Sequence, residues 1–190
     1  DFGDVVVIAA GTYSDPTHQA GGGDETLCCV VMKPGITLRG AGMDQTIIDA
    51  NGQGRGIHMS YVTDATISGL TVRNSAGDNY GCGLFLKHSS AHVHDVKVEE
   101  GTHGGVSFVQ SSSGLFEDCI FHHNSGKYGA GIDVDLGCDP SFYDCVITNN
   151  SGPSNAGVQL RGNATMVRCL IDQNTTAGAS PGGVSGGGLG

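Results

Sequence analysis

The 190-residue sequence has no tryptophan, little aromatic content (6% Phe, Trp and Tyr) and few charges (15% Asp, Glu, Lys and Arg). Its nine Lys and Arg are scattered and outnumbered by nineteen Asp and Glu, giving a formal net charge of −10. A phosphate-binding surface needs clustered cations, so nucleic acid is excluded as a partner. No apolar run approaches the ~18 residues of a membrane span. The seven cysteines contain no Cys-x-x-Cys pair, which excludes a zinc ribbon. Their odd number leaves at least one thiol unpaired within the chain.

What is abundant is glycine, 33 residues against a usual share of ~7%, between short alternating runs of Val, Ile and Leu. Short strands joined by many tight turns suit that mixture, because glycine supplies positive φ. Residues 4–13 (DVVVIAAGTY) read as a strand ending in a Gly turn, and residues 14–26 (SDPTHQAGGGDET) as a surface loop insert. A strand LCCVVM follows, and Pro34-Gly35 turns it into ITLRGAG.

The stretch from Ser113 to Asn163 repeats itself. Cys119 and Cys145, Asn124 and Asn150, and Gly131 and Gly157 are each 26 residues apart, a period that signals stacked supersecondary units. The glycine that leads each alternating strand recurs at Gly56, Gly83, Gly105, Gly131, Gly157 and Gly183. Strand side chains alternate faces. One inward column is therefore Ile57, Leu84, Val106, Ile132, Val158 and Val184, and the next is Met59, Leu86, Phe108, Val134, Leu160 and Gly186. A second series, Asn74, Glu100, Asn124, Asn150 and Asn174, places Asn at four of five positions. Stacked at ~4.7–4.9 Å, Asn74, Asn124, Asn150 and Asn174 are expected to form an amide ladder. Five residues before the last three stand Cys119, Cys145 and Cys169, a column of small buried side chains.

Coils of about 25 residues without helical periodicity build a parallel β-solenoid. The expected fold is all-β, one domain over 1–190, with about seven coils of 22–27 residues. Here the chain resembles the right-handed parallel β-helix family, the pectate-lyase-like superfamily. GDVVVIAAGTY is similar to that family's first coil and ITLRGAGMDQTIIDA to its second, while ATISGLTVRN, GLFEDCIFHHN and SFYDCVITNN are similar to its generic coil. The resemblance covers nearly the whole chain and concerns the residues that make coils stack, so it implies fold and not activity. Solenoids need polar caps and neither end carries one, so a longer protein is expected, with any targeting peptide outside this segment.

Six residues before the Asn series stand Ser68, His94, Asp118, Asp144 and Arg168. If this column faces out, His94, Asp118, Asp144 and Arg168 are candidate catalytic residues. Asp118 and Asp144 then approach the ~5–5.5 Å of a retaining glycosidase pair, or bind Ca²⁺. The alternative is that Asp turns the strand there. Asp133 and Asp135 share an outer face between Lys87 and Arg161, and these four are candidate carbohydrate-binding residues. The family resemblance implies polysaccharide on such a flank, and in the lyases a Ca²⁺ working with an Arg or Lys base. The alternative is a solvated face of ordinary charges.

GDNYGCGLFL followed by GTHGGVSF is distantly similar to the polygalacturonase motifs, with Asp78 and His103 at the matching positions, but Asn79 replaces the second Asp. GTY resembles the first pectin methylesterase motif, without the downstream catalytic ones. His92 and His94, with His122 and His123, suggest a metal site without any visible supporting shell. Cys119 and Cys145 are either a disulfide or stacked free thiols. Asn149-Asn150-Ser151, Asn163-Ala164-Thr165 and Asn174-Thr175-Thr176 are glycosylation sequons.

The leading functional expectation is an extracellular or cell-surface structural or adhesive module, binding carbohydrate or other protein chains. The rival is a polysaccharide lyase or glycoside hydrolase acting on uronate-rich polysaccharide. The third is end-to-end self-association through open coil edges.

Overall fold

The computed structural model describes residues 2–21, 24–77 and 82–176, and the backbone of 184–186. Each glycine-led segment alternates apolar and polar residues, so it forms a strand with one face inward. These strands pair in parallel: Ile57, Leu84, Val106, Ile132, Val158 and Val184 lie in one register row, and Met59, Leu86, Phe108, Val134, Leu160 and Gly186 in the next. The described side chains of both rows are at most 1% exposed. The flank sheet they form runs through Asp24–Val31, Arg55–Ser60, Leu84–Lys87, Val106–Val109, Ile132–Val134, Val158–Leu160 and Val184–Gly186.

A second parallel sheet bends midway. Its first half runs through Val5–Val7, Thr37–Arg39, Ala65–Arg73, Ala91–Glu99, Leu115–Glu117, Ser141–Tyr143 and Thr165–Val167. Past the bend lie Gly11–Tyr13, Thr46–Asp49, the ends of the two nine-residue strands, Ile120–His122, Val146–Thr148 and Leu170–Asp172. Among the described residues every strand but His18–Gly21 pairs in parallel with its counterpart one coil away, so the chain climbs an axis as a parallel β-helix with seven such rungs on each sheet. No helix occurs among the described residues.

The start departs from expectation. Residues 4–13 are two short strands rather than one, because the coil turns a corner between Val7 and Gly11. The expected loop at 14–26 contains the strand His18–Gly21, which pairs antiparallel with Asp24–Val31. The hairpin gives the first rung of the flank sheet a polar edge strand, which covers its open hydrogen-bonding groups.

Two corners in each coil are held in the left-handed region. Asp95, Asp118, Asp144 and Arg168 form the first corner row (φ 51 to 55°), and Asn74, Glu100, His123, Asn149 and Gln173 the second (φ 53 to 58°). These rows correct the expected ladder. Arg73 lies opposite Glu99 and Glu99 opposite His122, so Asn74 and Glu100 are corner residues. The inward position is the next one, occupied by Ser75, Gly101, Asn124, Asn150 and Asn174. Asn tolerates a left-handed corner as readily as a buried amide site, so residue type alone does not separate the two rows. The Asn74 amide instead donates to Asp49 Oδ1 at 3.0 Å.

In the inward row, Asn124 Nδ2 and backbone N both donate to Asn150 Oδ1, at 3.1 and 3.0 Å. Asn150 Nδ2 and N donate likewise to Asn174 Oδ1, at 2.9 and 3.0 Å. Each Nδ2 also reaches a carbonyl, of Val98, Phe121 or Ile147, at 2.8 to 3.0 Å. Cys119, Cys145 and Cys169 stack behind the first corner, and their thiols donate to carbonyls at 3.2 to 3.5 Å. All seven cysteines are free thiols. Phe108, Phe116, Phe121 and Phe142 fill the core, with ring centroids 5.2 to 6.3 Å apart. The leading glycines are steric requirements: a Cβ on Gly131 sits 2.5 Å from the Gly157 carbonyl oxygen.

Removing the Asn150 amide leaves buried donors and acceptors on two neighbouring coils unpaired, at about 1–3 kcal/mol for each such group. Asn150→Ala is expected to lower unfolding free energy by about 3–5 kcal/mol in urea titrations. Ser75→Ala removes a buried hydroxyl that has no hydrogen-bond partner among the described residues, and is expected to be neutral or stabilising. Equal losses in the two variants contradict this account of the row.

Candidate functional site

The outward row of the flank sheet is not the solvated strip its composition suggests. His58, Phe85, Ser107, Asp133 and Gln159 lie in register and are only 1 to 6% exposed. Rungs so close together let longer side chains cover shorter ones, and Cys82, Phe85 and Val109 add an apolar cluster outside the sheet. Asp133, expected on an exposed face, is therefore buried and must be partnered.

Its partners form a chain. Asn155, itself left-handed at φ 51°, donates from Nδ2 to Gln159 Oε1 at 2.9 Å. Gln159 Nε2 donates to Asp133 Oδ1 at 3.0 Å. Arg161 Nη2 lies 3.4 Å from Asp133 Oδ2, and Arg161 Nε 3.6 Å from Asp135 Oδ1. Burial pushes the Asp133 carboxyl above the usual range, against the pull of the Arg161 guanidinium. The Arg161 head lies 6.0 Å from the ring centroid of Tyr128, and Lys127 Nζ 5.0 Å from the same ring. Tyr128 is 45% exposed, so the network opens onto an accessible aromatic face.

Of the four expected flank residues, Asp133, Asp135 and Arg161 are brought together. Lys87 is not: it pairs with Val109, which lies between it and Asp135 along the row. Gln159, Asn155 and Tyr128 were missed by sequence reasoning. Gln159 stands in the outward column, where mixed polarity reads as solvent-facing, and Tyr128 sits inside a glycine turn that carries no periodic signal.

The expected column His94, Asp118, Asp144 and Arg168 is only partly assembled. His94 pairs with Ser68 and Glu117, and Asp95 takes the corner beside Asp118. The count from Glu100 shifts this coil by one residue, as it shifts the ladder. His94 Nδ1 contacts Asp95 Oδ2 at 2.9 Å. Both Asp144 oxygens accept from Arg168 at 2.6 Å, which lowers the Asp144 pKa. A Ca²⁺ shared by Asp118 and Asp144 therefore has to displace that guanidinium. His92 and His122 contact Glu117 and Glu99 at 2.7 and 2.8 Å. Among the described residues, no group of three or more His, Cys, Asp or Glu is arranged to hold a metal ion. His103 Nδ1 lies 3.2 Å from Thr102 Oγ1, while Asp78 and Asn79 fall outside the described residues.

Nearer the start of the sheet, Arg55 Nη1 bonds Asp24 Oδ2 at 2.6 Å and His58 Nδ1 at 3.0 Å. It also lies 4.0 Å over the Phe85 ring, on which His58 stacks at 5.2 Å. Burial, and then the Arg55 charge, lower the His58 pKa to about 4. A base with a depressed folded pKa binds fewer protons folded than unfolded. Its contribution is full above pH ~6.5 and is lost as pH falls toward 4. Burial raises the Asp24 carboxyl, but bonds from Arg55 and Thr26 outweigh it and bring it to about 2, so its contribution survives to below pH ~4. Urea midpoints are expected to drop between pH 7 and 4, with about 3 kcal/mol from His58. In His58→Asn, which keeps an acceptor for Arg55, that part of the drop is expected to vanish. An unchanged pH profile in the variant sinks the assignment.

The comparisons with known proteins follow this geometry. The chain superposes on a pectin methylesterase from Erwinia chrysanthemi with a TM-score of 0.55 and 16% identity, over 87% of this chain and 56% of that one. It superposes on the A-modules of two mannuronan C-5 epimerases from Azotobacter vinelandii with TM-scores of 0.50 and 0.51 and identities of 15% and 16%, over 92% and 95% of this chain. It spans 64% and 53% of those two chains. At such identities the likeness is one of fold. No curated protein sequence matches the chain. The model described as "Right handed beta helix region" matches residues 31–185, and the chain belongs to that right-handed β-helix family.

Proposed function

We propose that the chain is a polysaccharide-binding β-helix module that works outside the cell, with the glycan lying against Asp135, Arg161 and Tyr128 and the buried Gln159 and Asp133 beneath them. A sugar ring offers hydroxyl edges and C–H faces. Planar polar groups held in fixed positions suit the first, and an exposed aromatic ring suits the second. The observation that carries the reading is the hydrogen-bonded chain from Asn155 through Gln159 and Asp133 to Arg161, which opens beside Tyr128. Neighbours named for pectin and mannuronan, both polysaccharides, agree with it. A rigid rod presenting such a site is also an adhesive element.

One observation favours a second reading, that of a lyase or glycoside hydrolase acting on uronate-rich polysaccharide. Buried Asp133, its carboxyl pushed up by burial, stands beside Asp135 and Arg161, which brings two carboxyl groups and a cation within reach of one another.

Calorimetric titration with uronate and neutral oligosaccharides is expected to show binding that weakens at least tenfold, about 1.4 kcal/mol, in Arg161→Ala and in Tyr128→Ala. Incubation with the polymers is expected to release neither unsaturated products nor new reducing ends. Product formation abolished by Asp133→Asn or Asp135→Asn puts the enzyme reading first. Wild-type affinity in both binding variants removes the flank from the account.

A further inference from the structure

The coil has a third side, touching the flank network only through the Lys127–Tyr128 contact. After each inward Asn the next residue points out, which stacks Thr102, Ser125, Ser151 and Thr175 on successive coils. Ser125 bridges Ser151 in parallel, Ser151 pairs with Thr175, and Ser125 N donates to the Gly101 carbonyl at 2.7 Å. The following positions, Gly126 and Gly152, have no side chain, and a Cβ on Gly152 collides with the Gly126 carbonyl oxygen. The result is a trough of about 530 Å³ lined by these residues together with Lys127, Pro153 and Thr176. That volume lies within the ~300–1,000 Å³ of ligand sites.

Three features of the trough select a ligand. First, the Ser125 hydroxyl donates to the Gly101 carbonyl at 3.4 Å, which leaves its oxygen able to accept from an incoming hydroxyl, while Thr102 Oγ1 lies 3.4 Å from the Ser75 carbonyl and 3.2 Å from His103 Nδ1. Second, the hydroxyls recur at the ~4.7–4.9 Å strand spacing, close to the length of one hexose unit in an extended chain. Third, the chain carries a net charge of −10, yet the residues lining this cavity include a lysine and no carboxylate. The Lys127 ammonium packs 5.0 Å from the Tyr128 ring, which holds it at the rim.

We infer that this trough is a second carbohydrate site, taking an extended anionic oligosaccharide along the solenoid axis. Its hydroxyls meet the Thr102, Ser125, Ser151 and Thr175 rungs, and an acidic substituent meets Lys127. The trough uses none of Asp133, Gln159 or Arg161 and meets the flank network only where Lys127 packs on Tyr128.

The test is a titration of the isotopically labelled chain with a six-unit β-1,4-linked uronic acid oligomer and with its neutral hexose counterpart, followed by backbone amide shifts. The charged oligomer is expected to move Ser125, Gly126, Ser151 and Gly152, and to do so equally in Arg161→Ala. Ser151→Tyr, whose new ring fills the trough from an exposed position, is expected to weaken that response at least tenfold. Ser125→Tyr serves as a second filler if the first variant shows a lowered urea midpoint. Lys127→Gln is expected to bring the charged oligomer down to the affinity of the neutral one. Shifts confined to Asp133, Gln159 and Arg161 overturn the trough and leave the flank reading intact. Trough shifts alone do the reverse. A filler variant that binds like wild type overturns the inference.

Discussion

The parallel pairing of one coil with the next is the constraint on which everything else rests. Backbone hydrogen bonds run along the axis, as in Ile132 between Val106 and Val158, so no coil satisfies its own strand groups. A strand also fixes which way each side chain points, so setting the register of one coil sets it for all. The left-handed corners keep the count. Asp118, Asp144 and Arg168 at one bend, with His123, Asn149 and Gln173 at the other, reverse the chain at matched positions although their side chains share little chemistry. A corner needs a backbone conformation, and several residue types supply it when neighbouring rungs hold them in place.

That constraint explains why the interior mixes hydrocarbon with amide. Stacked Phe and Val side chains exclude water along most of the axis, but at the second corner the backbone carbonyls of Val98, Phe121 and Ile147 also meet inward amides. Asn at 124, 150 and 174 satisfies them through Nδ2 and passes its own oxygen to the amides of the coil before. Where the row reaches Gly101, the backbone N still bonds Asn124 Oδ1 at 3.0 Å. One coil further the position is Ser75, whose hydroxyl has no hydrogen-bond partner among the described residues. Asn124 and Asn150, flanked by Gly101 and Asn174, are bonded in both directions of the row.

The inward columns were legible because apolar alternation and glycine spacing both depend on the register that the structure uses. All twelve positions from Ile57 to Gly186 fall in their expected rows. The corner and ladder rows were less so: Asn74 looks the same in sequence whether it bends the backbone or enters the core, and the one-residue offset passed on to Glu100 and His94. The hairpin at His18–Gly21 was hidden because its strand is polar and rich in glycine, the composition of a loop. The flank site was half visible. Asp133, Asp135 and Arg161 share a face by simple alternation, whereas the part played by Gln159 and Asn155 depends on a turn geometry that no period encodes.

Burial of the outward row has a chemical consequence for Asp133. Because Asn155 donates to Gln159 Oε1, the Gln159 amide is oriented with its NH₂ toward Asp133 Oδ1. Oδ1 is thereby committed to accepting, and a proton taken up by this carboxyl has to reside on Oδ2. That is the oxygen facing Arg161, 3.4 Å away across a loose contact, on the side that leads to Tyr128 and solvent. Burial favours the protonated form, and the Arg161 charge and the Gln159 hydrogen bond oppose it. A ligand anion drawing Arg161 away weakens the larger pull holding the Asp133 carboxyl down and leaves the Gln159 hydrogen bond as the remaining one. Arg161 thus links the charge of Asp133 to the exposed face beside Tyr128.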